Sequence, residues 1–218
     1  MASSRSQLSA LQRDLLDAFS KQTSKFFLTG GAVLAGWVLE HRRTDDLDLF
    51  TEHDEAIGDA DRLVRSGAAT IGATVESVRT APDFRRYLVR RGNESVVVDF
   101  VRERVPQLYP KLERDGLLMD SAEEILVNKL CTLLGRVEIR DLVDLYFLER
   151  AGLMPEAFVE QAARKDAGLT PATLAWVLSQ FRVPEEIPGG VTREKIEAYA
   201  RDLEARFRRL GIPAAGGS

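Results

Sequence analysis

Residues 26–50 read FFLTGGAVLAGWVLEHRRTDDLDLF, and the alternation at the end of this stretch decides the fold. In Asp46-Leu47-Asp48-Leu49-Phe50, acidic and apolar residues take turns. A strand has a side-chain period of two, so Asp46 and Asp48 share one face while Leu47 and Leu49 go to the other, into a core. The carboxylates then stand about 7 Å apart, two rises of ~3.3 Å. At that spacing they either grip divalent cations together or remain solvated edge charge. Upstream, Phe26-Phe27-Leu28 is an apolar run that stops at Thr29-Gly30-Gly31, and AVLAGWVLE then has helix-forming composition with Gly36 as its weak point. The glycine pair is either a plain tight turn or a place where bare backbone N–H groups meet a phosphate. Strand, turn, helix and strand together return the glycine turn and the acidic face to the same end of a sheet.

On the N-terminal side, Leu8, Leu11, Leu15, Leu16 and Phe19 recur at helical spacing, which predicts an amphipathic helix over about residues 6–20 covering the sheet. On the other side, Ala56, Ile57, Ala60, Leu63 and Val64 predict a second helix, closed by Gly67. Three strand-like runs follow, residues 73–79, 84–91 and 94–101, the last two joined by the hairpin pair Gly92-Asn93. In the third run, ESVVVDFV, Asp99 interrupts apolar residues. A carboxylate there is costly to bury unpaired, so it is either bonded to an arginine or part of a site. Arg79, Arg85, Arg86, Arg90, Arg91, Arg102 and Arg104 face the acids Asp83, Glu94, Asp99 and Glu103 in the most basic part of the chain. This part is either a solvated sheet face or a contact for a phosphate backbone.

From about residue 120 the pattern is wholly helical. Ser121 to Glu124 has capping-box spacing, and Ile125, Leu126, Leu130, Leu133 and Leu134 continue an apolar face. Leu142, Leu145, Tyr146 and Leu148 form another, Pro155 and Thr170-Pro171 read as helix starts, and a last helix is expected over residues 192–210. Periodicity makes Lys129 an exposed helix residue and Cys131 a core residue, and the tail AAGGS is expected to be disordered.

The 218 residues, 44% hydrophobic, suffice for a real core. A net charge of -4 gives no global attraction for nucleic acid, so any RNA contact needs a local basic patch. One cysteine excludes an internal disulfide framework and suits a reducing cytoplasm. No signal peptide and no apolar run near the ~18 residues of a membrane span are expected. His41 and His53 lack the Cys or His partners of a zinc site.

Gly30-Gly31 followed by Thr44-x-Asp46-x-Asp48 resembles the signature of the polymerase-beta-like nucleotidyltransferase superfamily. Adding Asn128-Lys129-Leu130 and Arg140-Asp141-x-x-Asp144-Leu145, the chain is similar, from about residue 26 to 148, to the AbiEii-type nucleotidyltransferases. These are the toxin halves of type IV toxin–antitoxin pairs and include the MenT toxins. The resemblance implies an α+β fold, with a small mixed sheet covered by helices over residues 1–117 and an all-helical half packed on it over residues 118–218. It also implies transfer of a nucleotidyl group from a nucleoside triphosphate. Asp46 and Asp48 would hold Mg2+, with Asp99 a third ligand or base. Gly30 and Gly31 would face the triphosphate, Lys129 would neutralise it, and Asp144 would complete the site. Thr44 matches a hydroxyl position of the family. The tRNA 3' end is the expected acceptor and a cognate antitoxin the expected partner, in the cytoplasm. Ala32 departs from the family, which has Ser or Thr after the glycine pair; the missing hydroxyl favours an alternative, a degenerate fold that binds without turnover. A protein or small-molecule acceptor is a further alternative.

Overall fold

The computed structural model describes residues 5–212. The chain divides into two compact units, Met1–Ser121 and Ala122–Ser218. The AAGGS tail lies outside the described residues.

The first unit is built on a seven-stranded sheet in the order β3-β4-β5-β2-β1-β7-β6. Its strands are β1 (Phe27–Thr29), β2 (Asp46–Thr51), β3 (Thr74–Ala81), β4 (Phe84–Arg91), β5 (Glu94–Arg102), β6 (Leu112–Arg114) and β7 (Leu117–Met119). Neighbours β2 and β5 run parallel, as do β1 and β7; the other pairs are antiparallel. The sheet is therefore mixed, as expected. β2 alternates as its sequence dictates, with Leu47 and Leu49 buried and Asp46 and Asp48 half-buried. Leu28, Leu47, Leu49, Tyr87, Val89, Val96, Val98 and Phe100 make one face a core. Phe100 packs edge-on against Phe19, Phe26 and Tyr87, at centroid distances of 6.0, 5.0 and 6.0 Å. Helices α1 (Ala10–Ser20) and α3 (Ala60–Thr70) cover that face.

Between β1 and β2 the expected helix is split: α2 (Gly30–Val33) passes into a π-helical stretch over Leu34–Val38. Leu39 N–H donates to Leu34 O at 2.8 Å, the wider ring of a π turn. Gly36 sits inside it because a Cβ there would lie 3.1 Å from Leu8 Cδ1. Gly67 does not end α3, which runs on to Thr70. Its missing Cβ instead makes room for Phe19, whose Cε1 would be 2.9 Å from it. The chain reverses at Gly72, where φ is +68.

The second unit is all-helical: α4 (Ala122–Gly135), α5 (Ile139–Arg150), α6 (Val159–Lys165), α7 (Pro171–Gln180) and α8 (Arg193–Leu210). Thr170 caps α7, its hydroxyl accepting from Thr173 N–H, and Thr192 caps α8 in the same way through Lys195 N–H. Inside it Lys165 pairs with the fully buried Glu124 and donates to Asn128 Oδ1 at 2.7 Å. Cys131 is half-buried, its thiol 3.6 Å from Ala162 O, so it lies at the margin of the core instead of within it. Among the described residues no helix is long and apolar enough to cross a membrane.

Candidate active site

Strand register gathers the acidic residues of the first unit. Thr29 pairs with Asp48, Asp48 with Asp99, and Asp99 with Arg86, so the four side chains form one row across β1, β2, β5 and β4. Register partners point to the same face. Asp99 is buried, and both its oxygens accept from Arg86, at 2.8 Å from Nε and 2.6 Å from Nη2. The Arg86 pKa is raised, first by that hydrogen bonding and further by the charges of Asp99, Asp48 and Asp46, which outweigh its partial burial. Arg86 is thus held protonated beside all three carboxylates.

The glycine turn closes against the same face. Gly30 has φ +66, a left-handed conformation natural to glycine, and a Cβ built there would stand 2.7 Å from Asp48 Oδ2. A Cβ at Gly31 would stand 2.8 Å from Arg42 Nη2 and 3.3 Å from Thr44 Oγ1. The Thr44 hydroxyl donates to Asp46 Oδ1 at 2.6 Å, and the Thr29 hydroxyl to Asp120 Oδ2 at 2.6 Å. Gly30, Gly31, Thr44, Asp46 and Asp48 are therefore together at one end of the sheet. The buried Arg42 joins them as a cation that the sequence reading missed. Its only signal was an arginine two residues ahead of Thr44. Ala32 is fully buried, a packing position in this chain.

Among the described residues no group of three or more His, Cys, Asp or Glu side chains is arranged to hold a metal by itself. Mg2+, however, is commonly bound by one or two carboxylates together with substrate phosphates. Asp46 and Asp48 are two carboxylates of that donor type, on a strand face beside a glycine turn where a Cβ at Gly30 would meet Asp48 Oδ2.

Lys129 and Asp144 belong to the second unit, on α4 and α5. Lys129 Nζ lies 2.6 Å from Asp141 Oδ1 and 2.8 Å from Asp144 Oδ2, with the lysine side chain 12% exposed and that of Asp144 0%. The expectation of an exposed Lys129 is corrected: the helix turns it onto two acids of α5. Asp141, which the sequence reading gave no role, is buried, and its Oδ2 has no hydrogen-bond partner among the described residues.

A family model for the nucleotidyl transferase AbiEii toxin of type IV toxin–antitoxin systems matches residues 13–210. The chain belongs to this AbiEii family. Among solved structures, JHP933 from Helicobacter pylori is similar to it with a TM-score of 0.59 and 20% identity, over 92% of this chain and 91% of that one. A second structure, the "putative nucleotidyltransferase from H. pylori", gives a TM-score of 0.57 and 17% identity over 93% and 95%. At such identities the likeness is one of fold. No curated protein sequence matches. The family match extends through α8, well past the last motif visible in the sequence.

Proposed function

We propose that this AbiEii-family chain is a Mg2+-dependent toxin that transfers a nucleoside monophosphate from a nucleoside triphosphate to the 3' end of an RNA, with tRNA as the acceptor class and a cognate antitoxin as its partner. The observation that carries the reading is the approach of the Gly30 backbone to Asp48 Oδ2. It brings a turn able to receive phosphate to the strand that presents two carboxylates.

In the reaction an acceptor hydroxyl oxygen bonds to the α-phosphorus, the bond from that phosphorus to the bridging oxygen breaks, and pyrophosphate leaves. The hydroxyl proton passes to a carboxylate of the Asp46, Asp48 and Asp99 face. Mg2+ held by Asp46 and Asp48 would lower the pKa of the attacking hydroxyl and offset charge on the leaving pyrophosphate. Asp99 serves as the third carboxylate; its oxygens keep lone pairs beyond those that Arg86 uses. Thr44 fixes the orientation of Asp46, and the Gly30-Gly31 backbone orients the triphosphate. For Lys129 and Asp144 the family resemblance implies the triphosphate and the catalytic set; in this chain the two are paired with each other inside the second unit. Catalysis of this kind is chiefly positioning and electrostatic stabilisation, which suits a site of fixed carboxylates and backbone donors.

The test incubates purified protein with each α-labelled triphosphate, Mg2+ and total bacterial tRNA, then separates RNA from protein. Label on RNA is the expected result and identifies the base. Label on protein alone shows protein nucleotidylation, and bound nucleotide with no transfer shows a binding module.

A further inference from the structure

The residue at the third position of α1, Gln12, does two things with one amide. Its Oε1 accepts from Ser9 N–H at 2.8 Å, while Ser9 Oγ accepts from Gln12 N–H at 3.2 Å, the reciprocal bonds of a capping box. Its Nε2 donates to the carbonyl of Thr44 at 2.9 Å. Gln12 is 2% exposed, so the amide has no water to turn to. Thr44 in turn donates its hydroxyl to Asp46 Oδ1. A hydrogen-bonded path therefore leads from the cap of α1 to a carboxylate of the acidic face.

From this path we infer that Gln12 is a positioning residue for Asp46, acting through Thr44. A capping box is satisfied equally well by glutamate at this position. Glutamate lacks the N–H that reaches Thr44, and as a carboxylate it would set negative charge against a carbonyl oxygen. Glutamine is the side chain of this length that accepts from Ser9 and donates to Thr44 at once. The segment at Thr44 leads directly into β2, so a shift of its backbone turns the threonine hydroxyl away from Asp46. The cap of a covering helix and the aim of a site carboxylate are then one piece of structure. The inference rests on the assignment of Asp46 to the metal proposed above.

The experiment measures Mn2+ binding by electron paramagnetic resonance, in the presence of a non-hydrolysable nucleoside triphosphate and so without turnover, on the full chain and its Gln12→Glu, Gln12→Met, Ser9→Ala and Asp46→Asn variants, with folding followed by circular dichroism. Gln12→Glu keeps the cap, loses the bond to Thr44 and sets a carboxylate against its carbonyl; Gln12→Met keeps the length and loses both bonds without adding charge. Both are expected to weaken Mn2+ binding about 10-fold, the lower end for partners that orient metal ligands. Ser9→Ala is expected to lower the melting temperature at unchanged Mn2+ affinity. Wild-type affinity in either folded Gln12 variant, with Asp46→Asn impaired, overturns the role of Gln12 alone. Mn2+ binding indifferent to Asp46→Asn, or absent from the wild type, overturns the metal assignment and this inference with it.

Discussion

Lys129 Nζ stands 2.8 Å from Asp144 Oδ2, and that aspartate side chain is fully buried. The lysine also serves Asp141, so one cation holds two acids of α5 against α4. Removing one partner of a buried ion pair strands the other in a poor solvent, at a cost of about 3–5 kcal/mol. Lys129→Met should therefore destabilise the protein by an amount in that range in urea unfolding, whatever it does to nucleotide binding. A loss below about 0.5 kcal/mol, the scale of surface substitutions, would show that the pair is not formed in solution.

The same cluster sets an alkaline limit. Burial alone would lower the Lys129 pKa, but the Asp144 and Asp141 carboxylates outweigh it, and the net shift is upward. A lysine whose folded pKa is raised contributes stability that is complete below its unfolded value, about 10.4. That contribution fades as pH rises through the folded pKa. The stability gap between wild type and Lys129→Met should hold below about pH 10 and narrow above it. A constant gap up to denaturation would contradict the raised pKa.

How much of this could be read from sequence depended on how local the signal was. The Asp46 to Phe50 alternation gave β2, its two faces and the acidic pair, because period two has few competing explanations. Gly92-Asn93 likewise placed the β4–β5 hairpin. Gly67 misled because its role is tertiary: it makes room for Phe19, a contact from another helix. β6 and β7 escaped notice because three-residue strands carry no period. β7 lies whole within the first compact unit, which runs to Ser121. Lys129 was misplaced because helical periodicity tells which face a residue takes, and not what a partner helix presents there. Asp99 bonded to arginine was one of two readings, and cross-strand register chose Arg86 among seven arginines.

Gly30 offers a sharper test of the acidic face than removal of a carboxylate alone. Asp48→Asn should abolish Mg2+-dependent triphosphate binding while leaving the melting temperature close to wild type, since Asp48 is half-buried at the end of its strand pair. Gly30→Ala keeps every carboxylate, yet its Cβ would meet Asp48 Oδ2 at 2.7 Å. The left-handed backbone adds about 1–2 kcal/mol of strain for an L-residue. Triphosphate affinity should fall at least about tenfold, as for loss of groups orienting a metal ligand, in titration with a fluorescent nucleotide. A folded Gly30→Ala that binds like wild type would remove the turn from the phosphate site.

The acceptor is the point on which the proposed function turns, and the pairing of the basic residues decides which of them to test for an RNA acceptor. Most arginines of the basic stretch are already spoken for: Arg86 by Asp99, Arg90 by Glu76, Arg91 by Asp14, Arg102 by Asp54 and Arg104 by Asp83. A cation paired in this way has less charge to offer a phosphate. Arg79 differs. It is exposed, rests 5.6 Å above the Phe84 ring, and has no ion pair among the described residues. Register places it beside Arg86, in the row that continues through Asp99 to Asp48. Three strand spacings separate it from Asp48, about 14 Å, so an RNA end at the carboxylates would carry its preceding phosphates toward Arg79. Each phosphate neutralised on a single strand contributes about 0.7 to the slope of log affinity against log salt. Arg79→Ala should lower that slope by about 0.7 and weaken transfer to RNA, with triphosphate binding unchanged. Charge reversal at Arg90 should do less, because Glu76 is there already. If Arg79→Ala leaves the salt slope as it was, the acceptor does not cross this face.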